Sequence, residues 1–226
     1  MSAVALAKAE RQNLEMMREL MTFDEAARRL VEVGRRFDSR GWVLGTSGNF
    51  SLVVSADPPR LAMTPSGAFK GELTSGEILE VDGDGKPVAG HATVRPSAEA
   101  KLHLEIARIR SAGAVLHTHS VWSTVISDRH AAAGGLAIEG YEMLKGLAGV
   151  STHTHREWVP ILENDQDMAR LAAEVGDTLN RHPAAHAFLL RRHGMYTWGD
   201  TLLEAIRHVE IMEFLLEVAA RDHRGA

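Results

Sequence analysis

Two histidines one residue apart, His117 and His119, close an apolar run that begins at Ala114. Side chains of a strand alternate between its faces, so this i, i+2 pair points both imidazoles to one side, with Cα atoms about 7 Å apart. Such a pair is half of a metal site. Zinc commonly takes three protein ligands and keeps a further position for substrate or water, so at least one more ligand is required. The chain has no cysteine, which leaves His, Asp and Glu as candidates. His193 is the preferred third ligand, because it ends the run Ala187-Phe-Leu-Leu-Arg191-Arg192 and is followed by Gly194, a pattern that lifts a side chain to the edge of a site. A second pair, His153-Thr-His155, competes for the role; lying between Gly149-Val-Ser and Arg156-Glu-Trp, it reads as solvated. His103 falls inside a helical segment and reads as a packed or surface histidine.

Two polar, glycine-containing turns form a second constellation: Gly45-Thr46-Ser47-Gly48-Asn49 and Thr64-Pro65-Ser66-Gly67. Small residues let backbone N–H groups point inward as an anion nest, and the hydroxyls and the amide add donors. Ser97 at a helix start contributes the dipole of that helix, so a phosphate could be held here, although short Ser/Gly turns are also simply turns. Two carboxylates lie near these loops. Glu99 stands in a first helical turn, where the dipole favours an acid in any case, and Glu142 lies in Glu139-Gly-Tyr-Glu142-Met-Leu-Lys145-Gly146, where it also reads as a solvated acid.

The elements that must position these residues are mixed α and β. Thr22-Phe-Asp-Glu25 has capping-box spacing, and Ala26, Leu30, Val33 and Phe37 recur with helical period, which predicts an amphipathic helix over 23–39 that covers a sheet. Short β-branched or apolar segments at 50–55, 60–63 and 78–81, with a turn at Asp82-Gly-Asp-Gly85, predict a largely antiparallel sheet. Further helices are predicted from Ser97 to near Gly113, over 121–133, from an Asn164 or Asp165 cap to about Arg181, and from Thr201 to about Ala220; further strands at 158–162, 185–190 and 195–198. Residues 1–21 read as a helix, a packing arm or a partly ordered extension.

At 226 residues, 45% of them hydrophobic, the chain suits one α/β domain. Its net charge of −5 with interspersed signs argues against nucleic acid as a partner. No apolar run approaches the roughly 18 residues of a membrane span, and no signal-peptide core is evident, which predicts a cytoplasmic protein with no membrane partner.

With Gly48-Asn49-Phe-Ser51, Thr64-Pro-Ser-Gly67, Pro96-Ser-Ala-Glu99, His117-Thr-His119 and His193-Gly194 in this order, the chain resembles the class II aldolase and adducin family over about Phe23 to Ala220. Within it, Glu142-Met-Leu-Lys-Gly146 and Leu190-Arg-Arg-His193-Gly-Met-Tyr-Thr-Trp-Gly199 are similar to strings of its sugar-phosphate dehydratases. The resemblance implies a three-layer α/β/α catalytic domain over 22–226 with a mainly antiparallel central sheet, after an N-terminal extension over 1–21. It implies one divalent metal per subunit, zinc in preference, held by His117, His119 and His193, and a homotetramer with sites near subunit interfaces. By the same resemblance Asn49, Ser66, Gly67 and Ser97 line a phosphate pocket, Glu142 transfers protons, and Glu99 assists it or ligates the metal; Ala98 departs from a second phosphate-binding serine of several aldolases. The implied activity is a lyase of methionine salvage that dehydrates a phosphorylated ketose, 5-methylthioribulose 1-phosphate, to 2,3-diketo-5-methylthiopentyl 1-phosphate. Two alternatives are a class II sugar-phosphate aldolase or epimerase, which would share the three histidines, and a non-catalytic adducin-like interaction domain, which would lack them.

Overall fold

Thr22 accepts the Glu25 amide through its hydroxyl and starts helix α1 (Phe23–Asp38), whose buried residues Ala26, Leu30, Val33 and Phe37 recur every three to four positions. In the computed structural model, which describes residues 21–88 and 95–222, four more helices and eight strands follow. They run β1 (Asn49–Ala56), β2 (Pro59–Met63), β3 (Leu79–Asp82), α2 (Ala100–Arg110), β4 (Ala114–Thr118), α3 (Val121–Arg129), β5 (Gly135–Glu139), β6 (Arg156–Leu162), α4 (Met168–Arg181), β7 (Ala187–Leu190), β8 (Gly194–Gly199) and α5 (Leu202–Arg221). Apart from Met21, the expected N-terminal extension over 1–21 lies outside the described residues. No helix among them is long and apolar enough to cross a membrane.

The strands form one sheet in the order β3-β2-β1-β4-β8-β7-β6-β5. All neighbours pair antiparallel except β6 and β7. A parallel neighbour cannot be reached by a hairpin, and α4 supplies the crossover. Side chains alternate between two apolar layers: Ala114, Leu116, Ala187, Leu189 and Met195 pack in one cluster with α1, α3 and α5, whereas Val115, Phe188, Leu190, Tyr196 and Trp198 pack in the other with α2 and α4. This is the expected three-layer arrangement.

Two local expectations differ from the structure, and one strand has no counterpart among them. Helix α2 starts at Ala100 rather than at Ser97, whose hydroxyl instead accepts the Glu99 amide at 3.2 Å. The cap of α4 is Asp167, which takes the amides of Ala169 and Arg170, while Asp165 is engaged by the Arg170 guanidinium. Strand β5 is not among the strands expected from the sequence; it pairs antiparallel with β6 along its whole length.

Phe188 lies fully buried with its ring 4.9 Å from that of Tyr196 and nearly parallel to it. Phe188→Ala is expected to lower unfolding stability by about 3–5 kcal/mol, read as a reduced urea midpoint.

Candidate metal centre

Register places the chemistry. Pairing of β1 with β4 sets Asn49 opposite His117, and pairing of β4 with β8 sets His117 opposite Tyr196, so the three share one face of the sheet. The His117 ring stacks on Tyr196 with centroids 3.9 Å apart. His119 follows on the same side, its amide donating to the Trp42 carbonyl at 2.8 Å. His193 arrives on the turn between β7 and β8. There Arg192 adopts a left-handed φ of 55°, a conformation that costs a residue with a Cβ about 1–2 kcal/mol. Asp128 of α3 holds this turn by ion pairs with both Arg191 and Arg192, and Ser127 accepts the Arg192 amide. Gly194 must be glycine: a Cβ there would strike the Thr118 carbonyl and crowd both His117 and His119.

The three rings converge through their Nε2 atoms, at 2.8 Å between His117 and His119 and 3.4 Å between His117 and His193. Two nitrogens bound tetrahedrally to one zinc lie about 3.3 Å apart, so the spacing fits a single ion with little adjustment. His117 Nδ1 donates to the Met195 carbonyl at 3.0 Å, which leaves its Nε2 lone pair free. His193 Nδ1 faces Asn164 Oδ1 at 3.3 Å. Burial pushes all three rings below the ordinary histidine range, His119 to about 4, with the neighbouring rings adding to the effect at His117 and His119. The rings are therefore neutral at neutral pH. Glu99 completes the group, its carboxylate oxygens 3.6 Å from His117 Nε2 and 3.4 Å from His193 Nε2. Lone pairs and a carboxylate that face each other repel unless a cation stands among them, so the donor set suits a divalent ion.

A directed chain of hydrogen bonds stands behind Glu99. The Ser51 hydroxyl donates to His103 Nδ1 at 2.7 Å, His103 Nε2 donates to Asn49 Oδ1 at 2.5 Å, and Asn49 Nδ2 donates to Glu99 Oε2 at 2.5 Å. Each group can then meet its neighbour only one way, and the chain ends on an acceptor, the Glu99 carboxylate. His103 is fully buried, which lowers its pKa to about 3 and keeps it neutral. Sequence reasoning misses this role: Glu99 and His103 lie i, i+4 at the start of a helix, and Asn49 and Ser51 lie i, i+2 on a strand, so spacing puts each pair on one face but does not join the two pairs.

The candidate phosphate turns adjoin one another. Ser66 N–H donates to the Arg95 carbonyl, and Pro65 bridges Pro96, which sets Ser66 and Gly67 beside Ser97. Lys70, buried and unanticipated, donates to the carbonyls of Thr46 at 3.1 Å and Ala68 at 2.8 Å and so ties the two glycine turns together; burial lowers its pKa to about 8. Asn49 faces Glu99 and His103 as described, so its side chain serves the carboxylate in this chain.

Glu142 lies on a short 3-10 helix (Glu142–Gly146), its side chain 74% exposed, bonded to Lys145 at 2.7 Å and 3.9 Å from His153. The Lys145 bond holds its carboxyl below the usual range. These contacts are separate from the imidazole cluster. His153 is solvated as expected. His155 is not: it is half-buried and bonded to Glu157 at 2.8 Å, a role that the loop-like sequence around it conceals.

The family model described as "Class II Aldolase and Adducin N-terminal domain" matches residues 28–220, and the chain belongs to this family. Solved structures with the same fold include YgbL from Klebsiella pneumoniae, with a TM-score of 0.75 at 26% identity over 91% of this chain and 93% of that one. Another is L-fuculose-1-phosphate aldolase from Thermus thermophilus, with a TM-score of 0.67 at 25% identity over 86% and 93%. More similar in sequence are methylthioribulose-1-phosphate dehydratases: that of Methylococcus capsulatus is 44% identical, covering 89% of this chain and 96% of its own, and that of Sorangium cellulosum is 42% identical, covering 88% and 92%.

Two outcomes are expected. His117→Ala should remove most of any divalent metal that the wild-type protein binds while the fold persists, as read by metal analysis and circular dichroism. In the metal-free protein, acidification below about 6.5 protonates these histidines in the unfolded chain but not in the folded one, so the urea midpoint should fall steadily toward pH 4. The raised carboxyl of Glu213, near 7 through burial, opposes this with a single proton against four rings counting His103.

Proposed function

We propose that this chain removes water from 5-methylthioribulose 1-phosphate to give 2,3-diketo-5-methylthiopentyl 1-phosphate, with His117, His119 and His193 as ligands of one divalent ion. The observation that carries the reading is the near full-length likeness to the dehydratases, in a chain whose three imidazole nitrogens and Glu99 converge. Zinc suits three neutral imidazoles and is the ion proposed. A homotetramer, the cytoplasm and methionine salvage are the assembly, compartment and pathway proposed with it.

When bound, the ion supplies positive charge to the substrate oxygens, which stabilises the negative charge left by loss of a proton beside the C2 carbonyl. A carboxylate takes the C3 proton, and the C3–H electron pair moves into the C2–C3 bond. That pair then returns to form C3–C4 as the C4 hydroxyl leaves, protonated, as water; ketonisation at C3 with a proton to C4 completes the diketone. Glu142 is assigned both proton steps. Its ion pair with Lys145 keeps it a carboxylate able to accept the first proton, which it can return to the leaving hydroxyl. Its exposure suits a site completed by a neighbouring subunit. Glu99, fixed by Asn49, assists by holding the substrate hydroxyls or joining the ligands. Ser66, Gly67 and Ser97 are assigned to the phosphate, on turns braced by Lys70.

Metal-loaded protein incubated with the substrate should yield the diketone. Dihydroxyacetone phosphate with methylthioacetaldehyde, the products of C3–C4 cleavage, would assign an aldolase instead; no turnover of any sugar phosphate would favour an interaction domain. Glu142→Gln should keep its zinc while kcat falls about 100-fold or more, measured under saturating substrate.

A further inference from the structure

Ala148, two residues beyond the Glu142–Gly146 turn, has both backbone polar groups held by histidines. Its amide donates to His208 Nε2 at 3.1 Å, and its carbonyl meets His186 Nε2 at 2.8 Å. The two rings stand 5.1 Å apart. His208 donates from Nδ1 to the Trp198 carbonyl at 2.7 Å, so a neutral ring satisfies both of its contacts. His186 is different. Its Nδ1 faces the two oxygens of Glu157 at 3.2 and 3.1 Å while its Nε2 faces a carbonyl, and oxygens of both kinds only accept, so both nitrogens carry protons and the ring is an imidazolium. Glu157, 1% exposed, also accepts the His186 amide at 2.9 Å and His155 Nε2 at 2.8 Å.

The groups that face His186 come from every element packed on it: Glu157 of β6, His155 just before that strand, His208 of α5 and Arg110 of α2. Burial disfavours the charge on His186, but the hydrogen bond and charge of Glu157 overcome it and raise the pKa above the ordinary value. The same partners hold Glu157 below its usual range against burial. Packing seats the turn as well. Leu144 and Leu147 are buried in the apolar layer of α5, and Gly146 lies so close to Ile211 that a Cβ would stand 2.5 Å from its Cδ1.

We propose that His186, paired with Glu157, is a positioning residue that together with His208 clamps Ala148 and thereby fixes the Glu142-bearing turn, and that the clamp opens when His186 loses its proton. The functional half of this inference rests on the assignment of proton transfer to Glu142. The stabilising contribution of a raised histidine is fully present below its unfolded value near 6.5 and is lost as pH rises through the higher folded value. Glu157, being depressed, contributes above about 4.3 and loses its contribution as pH falls through its lower folded value. The clamp is thus closed in weakly acidic solution and opens as pH rises through the raised folded value of His186.

Hydrogen–deuterium exchange of peptides covering 142–150, followed by mass spectrometry on the metal-loaded protein from pH 6 to 9 and corrected for intrinsic exchange, tests this. Protection around Ala148 should fall about tenfold across that range while β7 and β8 keep theirs. In His186→Gln it should be low at every pH, with kcat down about five- to tenfold, KM within about twofold, and the alkaline limb of the kcat profile flattened. Protection of the wild-type segment that ignores pH would overturn the proposal, as would wild-type protection in His186→Gln. Should that variant fail to fold, the wild-type pH series decides alone. If the wild type makes no diketone, the reaction assignment falls, and the exchange series still decides the clamp.

Discussion

The pairing of β4 with β1 on one side and with β8 on the other is the constraint on which the site depends. It brings Asn49, His117 and Tyr196 into one row across the centre of the sheet, although they come from three distant parts of the chain. His117 has no exposed surface, and its orientation is fixed from several directions: Tyr196 beneath the ring, the Met195 carbonyl at Nδ1, and the two other imidazoles at Nε2. A slip of one residue in either register would turn that ring to the opposite layer. The fold thus holds the His117 imidazole in one orientation and one tautomer, with its Nε2 turned to the other two rings.

Such a polar group inside a sheet is tolerable only when its partners are complete. Ser51, His103, Asn49 and Glu99 form a chain in which each of the first three donates to the next, which lowers the penalty of burying them and leaves a carboxylate beside the imidazoles. The same logic holds on β6, where Glu157 gathers His155, His186 and a backbone amide. The two clusters differ in charge. The imidazoles around His117 are kept neutral by burial and mutual repulsion, whereas His186 is kept charged by a carboxylate in contact.

Much of this was legible in the sequence because it rests on period. The i, i+2 spacing of His117 and His119, the alternation of the strands and the Thr22 and Thr201 caps are local signals, and the structure carries them at those positions. What escaped depends on contacts between distant segments. His103 and Asn49 are 54 residues apart and meet only through the packing of α2 on the sheet. Nothing near Lys70 announces that its ammonium will be buried among loop carbonyls, and His155 sits in a stretch of polar residues that resembles its solvated neighbour His153. Capping of α4 moved to Asp167 because Asp165 is taken by Arg170, a competition that composition alone does not resolve.

The seam between β4 and β8 also has a meaning for biosynthesis. His117 emerges from the ribosome 76 residues ahead of His193, so for that interval β4 can pair with β1 but presents its other side as an open hydrogen-bonding edge. Exposed edges of this kind invite association between nascent chains. Arrival of the β7–β8 hairpin both covers that edge and brings the third imidazole to the other two, so the His117, His119 and His193 cluster forms only late in folding.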